Sequence, residues 1–180
     1  AEVCRKYDLW LHVDASWGGA AAFLPHDAPE RSVLAGLENA HSITINPHKL
    51  LGVTHQCSFL LVHDKSVLIP PSHSDGGYLF HAPAEDALDM ATKTLGCGRR
   101  GDALKFYLVW LRYGTQGLGD HIAHGLRMAQ ALWQRLQLIP SLELGPHADP
   151  LFLQICVRPR EQSVRALHAQ LQAHGQFAVD

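Results

Sequence analysis

The sequence predicts an α/β fold, and three observations predict it. Runs at 9–14, 42–46 and 57–63 are short and apolar, the pattern of buried strands. A segment at 29–40 between the first two reads as a short helix, and that βαβ order favours parallel pairing of the strands it joins. Asp14 and Lys49 fall at or just after strand carboxyl ends, where open α/β sheets bind their ligands.

The remaining elements follow in order. The chain opens Ala-Glu-Val-Cys-Arg-Lys-Tyr, which reads as a helix already under way, so the chain is expected to be a fragment. After a loop at 70–84, residues 102–113 read as a largely buried helix closed by Gly114. Ile122, Leu126, Ala129, Trp133 and Leu136 recur at helical spacing, which predicts an amphipathic helix over 120–138 with this stripe packed in a core. Pro140, Gly145-Pro146 and Pro150 break the pattern, 151–157 reads as a strand, and Val164, Leu167 and Leu171 mark a last helix. A domain boundary is placed near 116, dividing the chain into 1–115 and 116–180.

Composition bounds the function. With 180 residues, 47% hydrophobic and 18% charged, the chain can bury a core and is not of the disordered class. A formal net charge of -2 gives no electrostatic case for nucleic acid. Thirteen histidines raise the question of metal, but His121 and His124 lack the Glu and third ligand of a zinc protease helix and read as a surface pair; no metal is expected. Cys4, Cys57, Cys97 and Cys156 show no Cys-x-x-Cys spacing, so reduced thiols in the cytoplasm are the default. There is no signal peptide or transmembrane run, so no membrane partner is expected. Arg100-Gly101-Asp102 spells an adhesion tripeptide, but at a turn before a helix Asp102 reads as an N-cap.

Asn46-Pro47-His48-Lys49 carries the chemistry. A lone Lys near a Pro is ordinarily a solvated loop residue, and a lone Asp at a strand end a cap or turn residue. Together, at the ends of neighbouring strands, they form the arrangement that pyridoxal phosphate requires. The lysine forms an imine with the cofactor aldehyde and needs a neutral amine to do so. The aspartate sits against the pyridine nitrogen, because only a protonated ring draws electrons from a substrate carbanion.

The stretches His12-Val13-Asp14-Ala15-Ser16-Trp17-Gly18-Gly19 and 46–62 (NPHKLLGVTHQCSFLLV) closely resemble the group II pyridoxal-phosphate-dependent amino acid decarboxylases. Gln56-Cys57-Ser58, Gly77-Tyr78-Leu79-Phe80 and the run from Cys97 to Lys105 are similar to the glutamate and cysteine sulfinate decarboxylase branch. The resemblance is strong over 1–115 and fades beyond. It implies an aminotransferase-like fold of type I, with 1–115 as the central part of the large-domain mixed sheet. Residues 116–180 would then be the linker helix and the start of the small C-terminal domain.

By that resemblance Lys49 is the Schiff-base lysine, Asp14 the partner of the ring nitrogen, and Asn46 and His48 lie near the cofactor phosphate. Tyr78 falls where the family carries a tyrosine on a mobile catalytic loop, placed to protonate the substrate Cα, with Gly76-Gly77 as its hinge. Ser16 stands where the family often has a small apolar residue against the pyridine ring, and Thr54-His55 occupy a position that is usually apolar. The implied reaction is decarboxylation of an L-amino acid, with glutamate, aspartate or cysteine sulfinate favoured, in an enzyme that is a homodimer when intact. Two alternatives stay open: another pyridoxal-phosphate lyase or aminotransferase on the same scaffold, and a non-catalytic truncated fragment or dimerising relic.

Overall fold

The computed structural model describes residues 1–68, 100–145, 150 and 152–175, which fall into two compact units, Ala1–Leu118 and Gly119–Asp180. In the first, helix α1 (Glu2–Lys6) leads into strand β1 (His12–Asp14), and β2 (Ser42–Ile45) and β3 (Phe59–Val62) complete a sheet of order β1-β2-β3. β1 pairs parallel to β2 in the register His12 to Ser42, Val13 to Ile43 and Asp14 to Thr44. β3 returns antiparallel on the other side of β2, so the sheet is mixed.

The parallel pairing expected from the βαβ order is present, but its crossover contains no α-helix. Three 3-10 helices, Gly18–Phe23, Pro29–Leu34 and Leu37–Asn39, take that place. The single helix expected over 29–40 is split because Gly36 adopts φ 90°, a left-handed conformation that ends one turn and starts the next. Each turn closes on i to i+3 bonds, such as Ala35 N–H to the Ser32 carbonyl and Ala40 N–H to the Leu37 carbonyl.

Ala15, Ala20, Ala21, Leu24, Leu51, Val53 and Cys57 form the buried core of this unit. The first 3-10 helix lies so close to β2 that a Cβ on Gly19 would come within 3.0 Å of Ile45 Cγ1. Small residues at 19–21 permit that approach, which presses the segment after Asp14 onto the sheet.

Helix α2 (Asp102–Leu136) is interrupted at Gly114, where φ 68° and ψ 175° leave the helical region. Its first turns attach to the sheet through an aromatic cluster. Phe106 meets Phe59 at 5.5 Å and Phe23 at 6.2 Å between ring centroids, and Trp110 meets Phe23 at 5.4 Å. Such edge-on pairs stabilise beyond the area they remove from water. Lys105 Nζ donates to the Gln56 carbonyl at 2.5 Å and the Cys57 thiol to the Asp102 carbonyl at 3.4 Å, tying the loop before β3 to the start of α2.

The expectation of a largely buried helix over 102–113 is corrected here. Leu104, Tyr107, Leu108 and Leu111, at helical spacing, are 58%, 60%, 53% and 70% exposed. The cluster covers only the edge carrying Lys105, Phe106 and Val109, and the apolar stripe beside it lies open among the described residues.

In the second unit the predicted stripe does face inward: Ile122, Ala129 and Trp133 are buried and Leu126 and Leu136 half-buried. Strands β4 (Leu142–Leu144) and β5 (Val157–Pro159) pair antiparallel, and an exposed, forked Arg158–Glu143 ion pair with contacts of 2.8 Å spans them. The strand expected over 151–157 therefore begins only at its last residue. Phe152, at φ 58°, takes a conformation incompatible with a strand, and the unforeseen partner β4 sets the register from Val157 onwards. Helix α3 (Val164–His174) starts where Ser163 Oγ accepts the Ala166 N–H at 3.1 Å and ends at Gly175, φ 69°.

Candidate active site

β1 and β2 run in the same direction, so Asp14 and the turn that begins at Asn46 leave the sheet at one end. The ladder continues one step past β1, with Ala15 N–H donating to the Thr44 carbonyl at 2.9 Å. Because strand side chains alternate, His12 and Asp14 share a face with Ser42 and Thr44, while Val13 and Ile43 point the other way.

That shared face is polar and internally bonded. His12 Nδ1 meets Ser42 Oγ at 2.8 Å and its Nε2 meets Thr44 Oγ1 at 3.2 Å. Ser42 Oγ also accepts from Trp10 Nε1 at 2.9 Å. Motif reading did not single out His12, Ser42 or Thr44. The signal that finds them is alternation: His12-x-Asp14 and Ser42-x-Thr44 put polar groups at every second place of otherwise apolar strands.

Asp14 sits in an asymmetric environment. Ser16 donates to Oδ1 twice, from its main-chain N–H at 2.9 Å and from its hydroxyl in a very short contact. These two bonds, the hydroxyl's first, hold the carboxyl below the usual carboxylate range; burial opposes them, and Lys49 and then His12 add smaller lowering effects. The carboxylate is solvent-facing, whereas Ser16 is buried.

The turn after β2 is built to present Lys49. Pro47 is fully buried and fixes the chain's exit, Lys49 N–H donates to the Asn46 carbonyl at 3.0 Å, and Val53 N–H donates back to the Pro47 carbonyl at 3.2 Å. Gly52, at φ 67°, makes the reversal possible. His48 bridges the loop, its Nδ1 only 2.5 Å from the Cys57 carbonyl oxygen. The Cys57 N–H donates to the same nitrogen at 3.0 Å, so Nδ1 lies against both main-chain groups of Cys57. Nε2 makes no hydrogen bond among the described residues and faces away from this contact with Cys57.

Two features at this end of the sheet await a partner. Among the described residues Asn46 Oδ1 is buried without a hydrogen bond, and Lys49 is exposed and makes no ion pair within 4 Å. An ionised carboxylate, an amine and an imidazole nitrogen that can donate suit a ligand with a protonated ring nitrogen, a carbonyl and an anionic group, while the orphaned amide oxygen, an acceptor, calls for a donor. Asp14, Ser16, Asn46, His48 and Lys49 thus lie on the two segments that leave the sheet together. Tyr78 and its hinge Gly76-Gly77 lie outside the described residues. Among the described residues no group of three or more His, Cys, Asp or Glu could hold a metal ion, and no helix is long and apolar enough to cross a membrane.

A model of the family described as "Pyridoxal-dependent decarboxylase conserved domain" matches residues 1–158. The chain is 43% identical over 155 residues to an L-aspartate decarboxylase of Metarhizium robertsii, covering 86% of this chain and 30% of that protein. It is 39% identical over 159 residues to the human cysteine sulfinic acid decarboxylase, covering 87% of this chain and 31% of that protein. Among solved structures, that of Oryza sativa TDC with PLP and tryptamine superposes with a TM-score of 0.86 at 26% identity, over 99% of this chain and 39% of that one. The chain thus spans about a third of the length of the proteins it matches.

Proposed function

The chain belongs to the pyridoxal-dependent decarboxylase family, whose cofactor is pyridoxal phosphate, and we propose that it carries part of the active site of an enzyme that removes the α-carboxylate of an L-amino acid. Acidic substrates (aspartate, cysteine sulfinate or glutamate) are favoured, in keeping with the two relatives named for L-aspartate and cysteine sulfinic acid. The observation that carries the reading is the common exit of Asp14 and the Asn46-to-Lys49 turn from adjacent parallel strands, close enough for the Lys49 charge to lower the Asp14 carboxyl.

When bound, the cofactor supplies a conjugated, protonated ring that accepts the electron pair left as carbon dioxide departs. The chain's residues do the rest. Lys49 holds the cofactor through its amine, reacting in the neutral form. Asp14 keeps a proton at the pyridine nitrogen by remaining ionised. Asn46, through its amide N–H, and His48, through an Nε2–H, would hold the phosphate, and Ser16 would lie beside the ring. Tyr78 delivers the proton that replaces the carboxylate at Cα. Residues 1–115 belong in this reading to the large domain and 116–180 to the linker helix and the start of the small one. The intact enzyme is a cytoplasmic homodimer.

The test is an absorption spectrum of the protein with pyridoxal phosphate beside the Lys49→Ala variant, followed by carbon dioxide release from the three acidic amino acids. A visible band that requires Lys49 supports the assignment; an equal band in Lys49→Ala rejects it. Amino-group transfer without carbon dioxide release would instead favour an aminotransferase. A second reading, a non-catalytic fragment or dimerising relic, is favoured by the open stripe of Leu104, Tyr107, Leu108 and Leu111, and cofactor binding without turnover would support it.

A further inference from the structure

Ser16 directs two donors at a single oxygen of its neighbour two residues back. Its main-chain N–H and its hydroxyl both end on Asp14 Oδ1, and no hydrogen bond among the described residues reaches Oδ2. Ser16 is 9% exposed, so little water competes for that hydroxyl, while the carboxylate faces solvent. The segment that carries Ser16 is itself fixed, by Ala15 N–H on the Thr44 carbonyl and by the close approach of Gly19 to Ile45.

We propose that Ser16 is a positioning residue, filling Oδ1 of Asp14 so that Oδ2 alone faces the cofactor's pyridine nitrogen. This rests on the reading of Asp14 as the ring-nitrogen partner. Two donors on one oxygen fix the rotation of the carboxylate, which a single main-chain donor does not. They also make it a weaker base, so the shared proton stays on the ring nitrogen rather than passing to Asp14. The lowered carboxyl of Asp14, with the Ser16 hydroxyl as its largest cause, agrees with this. The small apolar residue that the resembled family often carries here has no hydroxyl to offer, so the clamp would be this chain's own device.

The experiment is a carbon-13 NMR titration of the Asp14 carboxyl in the protein without cofactor, its signal identified by Asp14→Asn, in wild type, Ser16→Ala and Ser16→Thr. Removing the hydroxyl should raise the midpoint, and threonine should restore it. With cofactor labelled at the pyridine nitrogen, the nitrogen-15 signal should move away from its fully protonated position in Ser16→Ala and return in Ser16→Thr. An unchanged Asp14 midpoint in Ser16→Ala overturns the proposal while leaving the Asp14 assignment standing, provided Asp14→Asn still moves the nitrogen signal. A nitrogen signal indifferent to Asp14→Asn overturns the underlying reading, and the proposal with it.

Discussion

His48 and Cys57 close the loop that carries Lys49: the imidazole Nδ1 of the first lies 2.5 Å from the carbonyl oxygen of the second, nine residues on. The contact gives the ring two separable jobs, one nitrogen for the loop and one for a ligand. His48→Asn places an amide N–H near the Nδ1 position, whereas His48→Gln reaches towards Nε2. Asparagine should therefore keep amide protection of Val53 while weakening pyridoxal phosphate binding about tenfold, near one hydrogen bond's worth. Glutamine should do the reverse. Hydrogen exchange together with cofactor titration reads both, and equal effects from the two variants would refute the division.

Lys49 is exposed and makes no ion pair within 4 Å among the described residues, so its replacement should spare the fold. Lys49→Ala is expected to change stability by less than about 0.5 kcal/mol while lowering turnover by roughly a thousandfold or more. Thermal melts and carbon dioxide release measure the two. A variant that unfolds would show that the turn depends on Lys49 structurally.

The Asp14 carboxyl is lowered in the folded chain, which fixes the sign of its pH effect. A group with a depressed folded pKa contributes stability that is fully present above its unfolded value, near 4, and is lost as pH falls through the folded value. Asp14 is thus ionised throughout about pH 5 to 8, and cofactor affinity should show no Asp14-linked loss in that window. Asp14→Asn should lower activity by at least about a hundredfold across the range. Affinity measured against pH in both proteins checks this; a wild-type loss centred near pH 6 that vanishes in Asp14→Asn would contradict it.

Much of this arrangement is legible in the chain because strands announce themselves by apolar runs, and Asp14 and Lys49 stand at the ends of two of them. The mixed α/β fold and the parallel pairing of the first two strands follow from that order. The crossover is less legible, since 29–40 has helical composition and only the backbone of Gly36 reveals the break. β5 was displaced because its register depends on β4, a non-local partner that three residues of sequence do not advertise. The exposure of Leu104 and Leu108 was hidden for the same reason: periodicity marks an apolar face but not what covers it. The Ser16 contact needed coordinates, because side-chain direction and not residue type decides whether a hydroxyl meets the ring or the carboxylate.

Glycines near the site separate backbone strain from packing. Gly52 holds φ 67° with nothing among the described residues within 4 Å of an added Cβ, so Gly52→Ala should destabilise by about 1 to 2 kcal/mol through strain alone. Gly18 has the same open space without a positive φ, so Gly18→Ala should be neutral or stabilising by up to about 1 kcal/mol. Denaturant midpoints compare the pair, and equal losses would mean that the turn does not need the left-handed conformation.

The two sides of α2 should respond oppositely to substitution. Phe106 touches Phe23, Phe59 and Trp110 and is half-buried, so Phe106→Ala removes much of what anchors the helix to the sheet and should cost about 2 to 3 kcal/mol. Leu111, 70% exposed, contributes little in the chain alone, and Leu111→Lys should stay within about 0.5 kcal/mol. Because Phe59 begins β3 and the Cys57 carbonyl holds His48, loosening the anchor should also reach the Lys49 turn. Phe106→Ala is therefore expected to weaken cofactor binding and Leu111→Lys to leave it unchanged. Urea melts and cofactor titrations test both, and a Phe106→Ala protein with wild-type affinity would show that the turn is held independently of α2.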